Sequence, residues 1–96
     1  MEVSKVTVDF KKRVVTRGDR SVKLSPREVN LLSYLIHNKN TVVDRKKLLR
    51  TIWNYAPDID TRVVDVYVGY LRKKIDSGFS KKLIYSVRGL GYIFKD

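Results

Sequence analysis

The sequence predicts an α+β domain with an N-terminal antiparallel sheet, three helices and a C-terminal β-hairpin, in that order. Three observations carry this. The first two dozen residues alternate apolar and polar; Ser25-Pro26-Arg27-Glu28 opens a helical pattern; and two β-type runs near the end flank Arg88-Gly89-Leu90-Gly91. The 96 residues contain no long linker, internal repeat or low-complexity segment, which is the size of one domain with one modest core.

In the N-terminal part, Val6, Val8 and Phe10 share one face while Lys5, Thr7 and Asp9 share the other. Period two is the signature of a strand covered on one side. Further runs at Arg13–Thr16 and Ser21–Leu24 flank Arg17-Gly18-Asp19-Arg20, where Gly-Asp signals a tight turn. The first helix has its start written out: Ser25 as hydroxyl cap, Pro26 at the first helical position and Glu28 at the third. These are the parts of a capping box. Val29, Leu32, Leu35 and Ile36 give the apolar stripe, and Asn38-Lys39-Asn40 ends it.

A second helix is expected from Asp44 as cap to about Trp53, with Leu48, Leu49 and Ile52 inward. Pro57, within Asn54-Tyr55-Ala56-Pro57-Asp58, excludes a continuous helix through that segment. The third helix is expected from about Asp60 or Thr61 to Ile75, closed by Asp76-Ser77-Gly78. Strands at Leu83–Val87 and Tyr92–Phe94 follow, and the two glycines between them permit the positive φ of a tight hairpin. Two helices joined by a break, followed by a basic hairpin, make a winged helix-turn-helix layout.

Twenty-one Lys and Arg against ten Asp and Glu leave a net charge of +11, a large excess that draws polyanions. There are no cysteines, which excludes disulfides and zinc-thiolate sites and fits a cytosolic protein. The N-terminus carries no signal-peptide pattern, and no apolar run is long enough to span a membrane. Whether Met1 is native is left open.

On the third helix, Val64, Val68, Leu71 and Ile75 stack toward the core at 100° per residue. The opposite side carries Arg62, Val66, Gly69, Tyr70 and Lys73, flanked by Arg72, Tyr67 and Lys74. Cations and hydroxyls suit phosphates, while small or apolar groups suit base edges and thymine methyls. A helix-interior glycine costs about 0.5–1 kcal/mol relative to alanine, so Gly69 is either a tolerated defect or a place of close approach. Asp65, beside this face, is expected to pair with a basic side chain. Arg88, at the hairpin tip, is placed to reach a minor groove.

The string Val64-Asp65-Val66-Tyr67-Val68-Gly69-Tyr70-Leu71-Arg72-Lys73-Lys74-Ile75, with Val87-Arg88-Gly89-Leu90-Gly91-Tyr92, closely resembles the C-terminal effector domain of OmpR/PhoB-type response regulators. Leu24-Ser25-Pro26-Arg27-Glu28 followed by Leu31-Leu32 resembles the family's first-helix start, and the likeness spans essentially the whole chain. The resemblance implies sequence-specific binding of double-stranded DNA and regulation of bacterial transcription, with no enzymatic activity and no cofactor. It implies Val66, Gly69, Tyr70 and Arg88 in the grooves, and Trp53, Arg62, Tyr67, Arg72, Lys73 and Tyr92 at phosphates. In this family the loop corresponding to Asn54, Tyr55, Ala56, Pro57 and Asp58 can contact RNA polymerase. A receiver domain, phosphorylated by a histidine kinase, is expected outside this chain. The domain alone is expected to be a monomer that pairs on direct-repeat half-sites. Gly69 and Tyr70 depart from the cationic or polar residues common in relatives, so no relative's target can be transferred.

Three other readings stand beside this one. An enzyme would have to work with a single histidine, His37, and with Asp58 and Asp60, which lack a third metal ligand. An RNA-binding protein shares the charge, although Arg88-Gly89-Leu90-Gly91 is not a strand-clamping G-x-x-G motif. A protein-interaction module would use the loop around Tyr55 and leave the cationic third helix without a purpose.

Overall fold

A computed structural model describes residues 2–3, 5–56 and 58–96. Strands β1 (Glu2–Val3), β2 (Val6–Asp9), β3 (Val14–Arg17) and β4 (Arg20–Lys23) form an antiparallel meander in the order β1-β2-β3-β4. The alternation resolves as expected: Val6, Val8 and Val15 are buried and Thr7 and Thr16 exposed. Phe10, expected on the covered face, lies past the end of β2 and is exposed.

Helix α1 (Pro26–His37) carries the capping box that its sequence specifies. The Glu28 amide donates to Ser25 Oγ at 3.2 Å, and the Ser25 amide donates to Glu28 Oε1 at 2.7 Å. Glu28 is buried, and Lys74 Nζ donates to the same carboxylate oxygen at 2.7 Å. Burial alone would raise the Glu28 pKa; the Lys74 bond and charge and the bond from Ser25 outweigh it and hold it below 4.5. A local cap therefore also binds α1 to the third helix.

Helix α2 (Arg45–Trp53) is capped by Asp44, whose Oδ1 accepts from the Lys46 amide at 2.7 Å. It ends on Asn54 in the left-handed conformation, at φ 57°. Leu48, Leu49 and Trp53 are buried, whereas Ile52 is only half-buried. Helix α3 runs Val63–Ile75 and starts two to three residues later than the pattern suggested. The described residues from Asn54 to Thr61 are non-helical, and Thr61 Oγ1 accepts from the Val63 amide at 3.2 Å. The hydroxyl at Thr61 thus marks the entry to the helix. Pro57 lies outside the described residues.

The hairpin consists of β6 (Ile84–Val87) and β7 (Gly91–Phe94). A two-residue strand the sequence did not announce, β5 (Val43–Asp44), pairs antiparallel with β7, giving a three-stranded sheet in the order β5-β7-β6. One core joins the layers: Val6 and Val15 from the meander, Leu31, Leu32 and Leu35 from α1, Leu48 and Leu49 from α2, Val68 and Leu71 from α3, and Phe94 from β7. No helix among the described residues is long and apolar enough to cross a membrane.

A buried ion pair locks the meander to the end of α3. Arg17 Nη1 donates to Asp76 Oδ1 at 3.0 Å and to the Ile75 carbonyl at 2.7 Å, with the Phe79 ring 4.0 Å from its guanidinium carbon. Asp76 also accepts from the Leu83 amide at 3.1 Å and the Ile84 amide at 3.0 Å. One carboxylate thereby fixes where α3 stops, where the hairpin starts and where the N-terminal sheet docks. The signal for it was in the alternation, since Arg17 shares the covered face of β3 with Val15.

Candidate nucleic-acid interface

Val64, Val68, Leu71 and Ile75 are buried, which turns the rest of α3 outward. Val66 is 45% exposed and Tyr70 49% exposed, and Arg62, Gly69 and Lys73 are exposed beside them. Tyr67 and Arg72 are half-buried on the two flanks. An added Cβ at Gly69 would meet nothing within 4 Å. Nothing among the described residues therefore requires the glycine, although it costs the helix about 0.5–1 kcal/mol.

The aromatic side chains form a ladder out of the core. Trp53 is buried and meets Tyr67 edge-on with ring centroids 5.3 Å apart; Tyr67 meets Tyr70 in the same way at 5.3 Å. Such contacts restrict the rings beyond what burial alone does. Arg27 caps the inner end, its guanidinium carbon 5.5 Å from the Trp53 ring and Nη1 donating to the Ile52 carbonyl at 3.0 Å.

The hairpin is fastened along α3 at two levels. Arg72 Nε donates to the Ile84 carbonyl at 3.2 Å, and Nη2 donates to Ser86 Oγ at 2.7 Å. About two helical turns N-terminal of these, Asp65 accepts from Arg45 Nε at 3.1 Å and from the Tyr92 hydroxyl. The partner that the sequence could not name for Asp65 is thus Arg45, at the start of α2. Arg45 also donates to the Thr61 carbonyl, so one guanidinium ties α2, the loop and α3 together. The tip residues Arg88, Gly89 and Leu90 are exposed, with the turn closed by the Leu90 amide donating to the Val87 carbonyl at 2.9 Å.

Only Gly89 of the two hairpin glycines takes a positive φ, 76°. Gly91 serves close approach instead: a Cβ there would lie 2.0 Å from the Val43 carbonyl oxygen. Between the hairpin, α2 and α3 lies an open cleft lined by Arg45, Lys46, Asp65, Ser86 and Arg88.

The expected contact residues therefore divide. Arg62, Val66, Gly69, Tyr70 and Lys73 are brought together on one exposed face, with Arg88 at the mouth of the adjoining cleft. Arg72 and Tyr67 border that face, each already engaged within the domain. Trp53 and Tyr92 are buried. In this structure the Tyr92 hydroxyl, expected at a phosphate, is directed to Asp65, because burial favours an internal acceptor over water. Of the loop, Asn54, Tyr55, Ala56 and Asp58 are exposed. His37 is exposed, with Nδ1 2.7 Å from the Ser33 carbonyl of its own helix, and the described residues include no group of three metal-type side chains.

Burial, the bond to Asp65 and that carboxylate's charge together push the Tyr92 hydroxyl up to about 12 from an ordinary 10. The unfolded chain releases this proton near pH 10, while the folded domain holds it to about 12. Tyr92 then contributes its full stabilisation below pH 10 and loses it between 10 and 12. The stability difference between wild type and Tyr92→Phe, measured by urea unfolding, is expected to shrink across that window. A constant difference would contradict the assignment.

An exposed helix face that mixes cations with apolar groups, braced against a basic hairpin, defines a winged-helix DNA-binding domain. The chain belongs to the family described as "Transcriptional regulatory protein, C terminal", whose model matches residues 19–94, and it is of the OmpR/PhoB response-regulator type. It is 44% identical over 88 residues to "Uncharacterized transcriptional regulatory protein YkoG" of Bacillus subtilis, covering 92% of this chain and 39% of that protein. It is 38% identical over 96 residues to the response regulator MprA of Mycolicibacterium vanbaalenii, covering 100% of this chain and 42% of that protein. Among solved structures, the Klebsiella pneumoniae RstA DNA-binding domain in complex with RstA box is similar, with TM-score 0.85 and 30% identity. That match covers 99% of this chain and 95% of the RstA chain. The chain thus spans about two fifths of the length of the curated relatives it matches.

Proposed function

We propose that this chain is the single output domain of a two-component response regulator, binding a specific operator with α3 in the major groove and Arg88 in the neighbouring minor groove. The observation that carries the proposal is the α3 face. Val66, Gly69 and Tyr70 are exposed between Arg62 and Lys73, and the hairpin bearing Arg88 is bonded to the same helix. Base edges meet the apolar centre and phosphates meet the cations, the division of labour that specific duplex binding needs.

Within this reading Arg62, Lys73 and Arg72 grip phosphates, and Tyr67 adds its hydroxyl at the edge of the face. Trp53 and Tyr92 position their neighbours: Trp53 supports the ring ladder, and Tyr92 holds Asp65. The loop at Asn54, Tyr55, Ala56 and Asp58, with Tyr55 and Ile59 exposed, offers RNA polymerase an apolar patch. A receiver domain and its histidine kinase act from outside these 96 residues, in the cytoplasm, and the domain pairs on direct-repeat half-sites. The chain is a binder and not a catalyst.

Arg88→Ala is expected to weaken operator binding by about 1–3 kcal/mol and to relax preference at an A·T-rich position beside the major-groove contacts. Fluorescence anisotropy with permuted duplexes checks this. A uniform loss over all sequences would remove Arg88 from the minor groove. Competition by A-form RNA as effective as duplex DNA would favour the RNA-binding alternative.

A further inference from the structure

We infer that the centre of the α3 face is shaped for thymine, with the base's C5-methyl seated over Gly69 and against Val66 and Tyr70. The inference rests on the DNA-binding reading and specifies which base that reading requires. Val66, Gly69 and Tyr70 stand at i, i+3 and i+4, so they adjoin on one face. Val66 and Tyr70, both apolar in part and about half exposed, rise along one side of Gly69, which has no side chain. The space above Gly69 is open, and no internal packing or positive φ demands glycine there. The site is therefore a notch with a backbone floor, walled on one side by Val66 and Tyr70.

The Tyr70 part of that wall is held in place before any ligand arrives. Tyr70 rests edge-on against Tyr67, and Tyr67 against the buried Trp53. A ring fixed in this way loses little freedom on binding, which favours a shape-specific contact.

Charge decides among the bases. Thymine offers its methyl together with the O4 acceptor in the major groove, whereas cytosine and adenine present amino donors. Asp65 is the one acidic side chain of α3, and its carboxylate is occupied by Arg45 and Tyr92. The Arg62 and Lys73 cations on this face can only donate, and the Tyr70 hydroxyl can donate as well as accept, so the balance suits O4. Guanine satisfies the donors but brings no methyl to fill the notch.

The test uses the best duplex selected from a random pool, resynthesised with deoxyuridine replacing thymine one position at a time. Deoxyuridine keeps O4 and the pairing and removes only the methyl. At one position of each half-site the replacement is expected to weaken binding about fourfold, the loss of one buried carbon's transfer free energy. Gly69→Ala fills the notch. It is expected to raise the melting temperature of the unliganded domain, to weaken binding to the thymine duplex, and to abolish the difference between thymine and deoxyuridine. A duplex bound specifically yet indifferent to every deoxyuridine overturns the inference and leaves the proposed function intact. So does a Gly69→Ala domain that still discriminates thymine from deoxyuridine. A lowered melting temperature in Gly69→Ala would give the glycine an internal role and likewise overturn it. If no duplex is enriched at all, the inference and the DNA-binding reading fall together.

Discussion

Asp76→Ala is expected to lower the domain's stability by about 3–5 kcal/mol, the cost of breaking a buried ion pair from one side. The residue is 3% exposed, and its carboxylate has three separate partners. Its loss leaves the guanidinium of the buried Arg17 without its counter-charge, though still bonded to the Ile75 carbonyl, and removes the acceptor from the Leu83 and Ile84 amides. A domain of this size has about 5–15 kcal/mol in total, so the variant sits near its unfolding threshold at ambient temperature. Arg17→Met should cost less. The aliphatic chain can keep its place beside Phe79, and Asp76 retains both amides. Urea denaturation of the two variants gives the comparison directly. An Asp76→Ala unfolding free energy within about 1 kcal/mol of wild type would mean that water or a neighbour replaces the carboxylate.

Gly91→Ala is expected to be the most damaging of the glycine substitutions, at about 3 kcal/mol or more. Overpacking of a close contact ordinarily costs about 1–3 kcal/mol, and here the obstacle is backbone, which cannot rotate away. The new Cβ would lie 2.0 Å from the Val43 carbonyl oxygen, 2.9 Å from its carbon and 3.1 Å from the Arg45 nitrogen. Relief requires β5 to leave β7, which breaks the Val43–Tyr92 and Asp44–Gly91 pairing and the bond from the Arg45 amide to the Leu90 carbonyl. The start of α2 moves with it, and Arg45 then loses its hold on Asp65. Gly89→Ala is the control, at about 1–2 kcal/mol, because only its left-handed backbone is strained and its surroundings are open. Thermal melts should therefore rank Gly91→Ala far below Gly89→Ala, with Gly69→Ala above wild type. A Gly91→Ala domain that melts close to Gly89→Ala would contradict the close contact between β5 and β7.

What the sequence disclosed and what it withheld follow from how local each interaction is. The Ser25 cap, the Asp44 cap and the stripe through Val64, Val68, Leu71 and Ile75 are specified within a turn or two of chain, and all three stand as read. Strand β5 was invisible. Two residues carry no periodicity, and their pairing is supplied by β7, nearly fifty residues later. Gly91 read as a turn glycine because composition cannot separate a residue needing positive φ from one needing room. At the interface, the exposed set on α3 was legible from the helical angle alone. The bonds that aim it were not: Arg45 to Asp65, Tyr92 to Asp65 and Arg72 to Ser86 join separate elements, and nothing local distinguishes those arginines from solvated ones. Tyr92 is the instructive residue. Motif resemblance implies a phosphate contact for its hydroxyl, and folding adds an internal acceptor, Asp65, that no local pattern names.

Specific recognition of duplex DNA is put to the test by selecting binders from a random duplex pool and titrating the winner by anisotropy at several salt concentrations. An enriched motif is expected, repeated at roughly one helical turn, that binds at least ~10³-fold more tightly than random duplex. The affinity should fall steeply with salt, as the cations around α3 displace counterions. The same steep salt dependence with flat enrichment would contradict specific recognition, leaving a basic domain that attracts any polyanion and reads none.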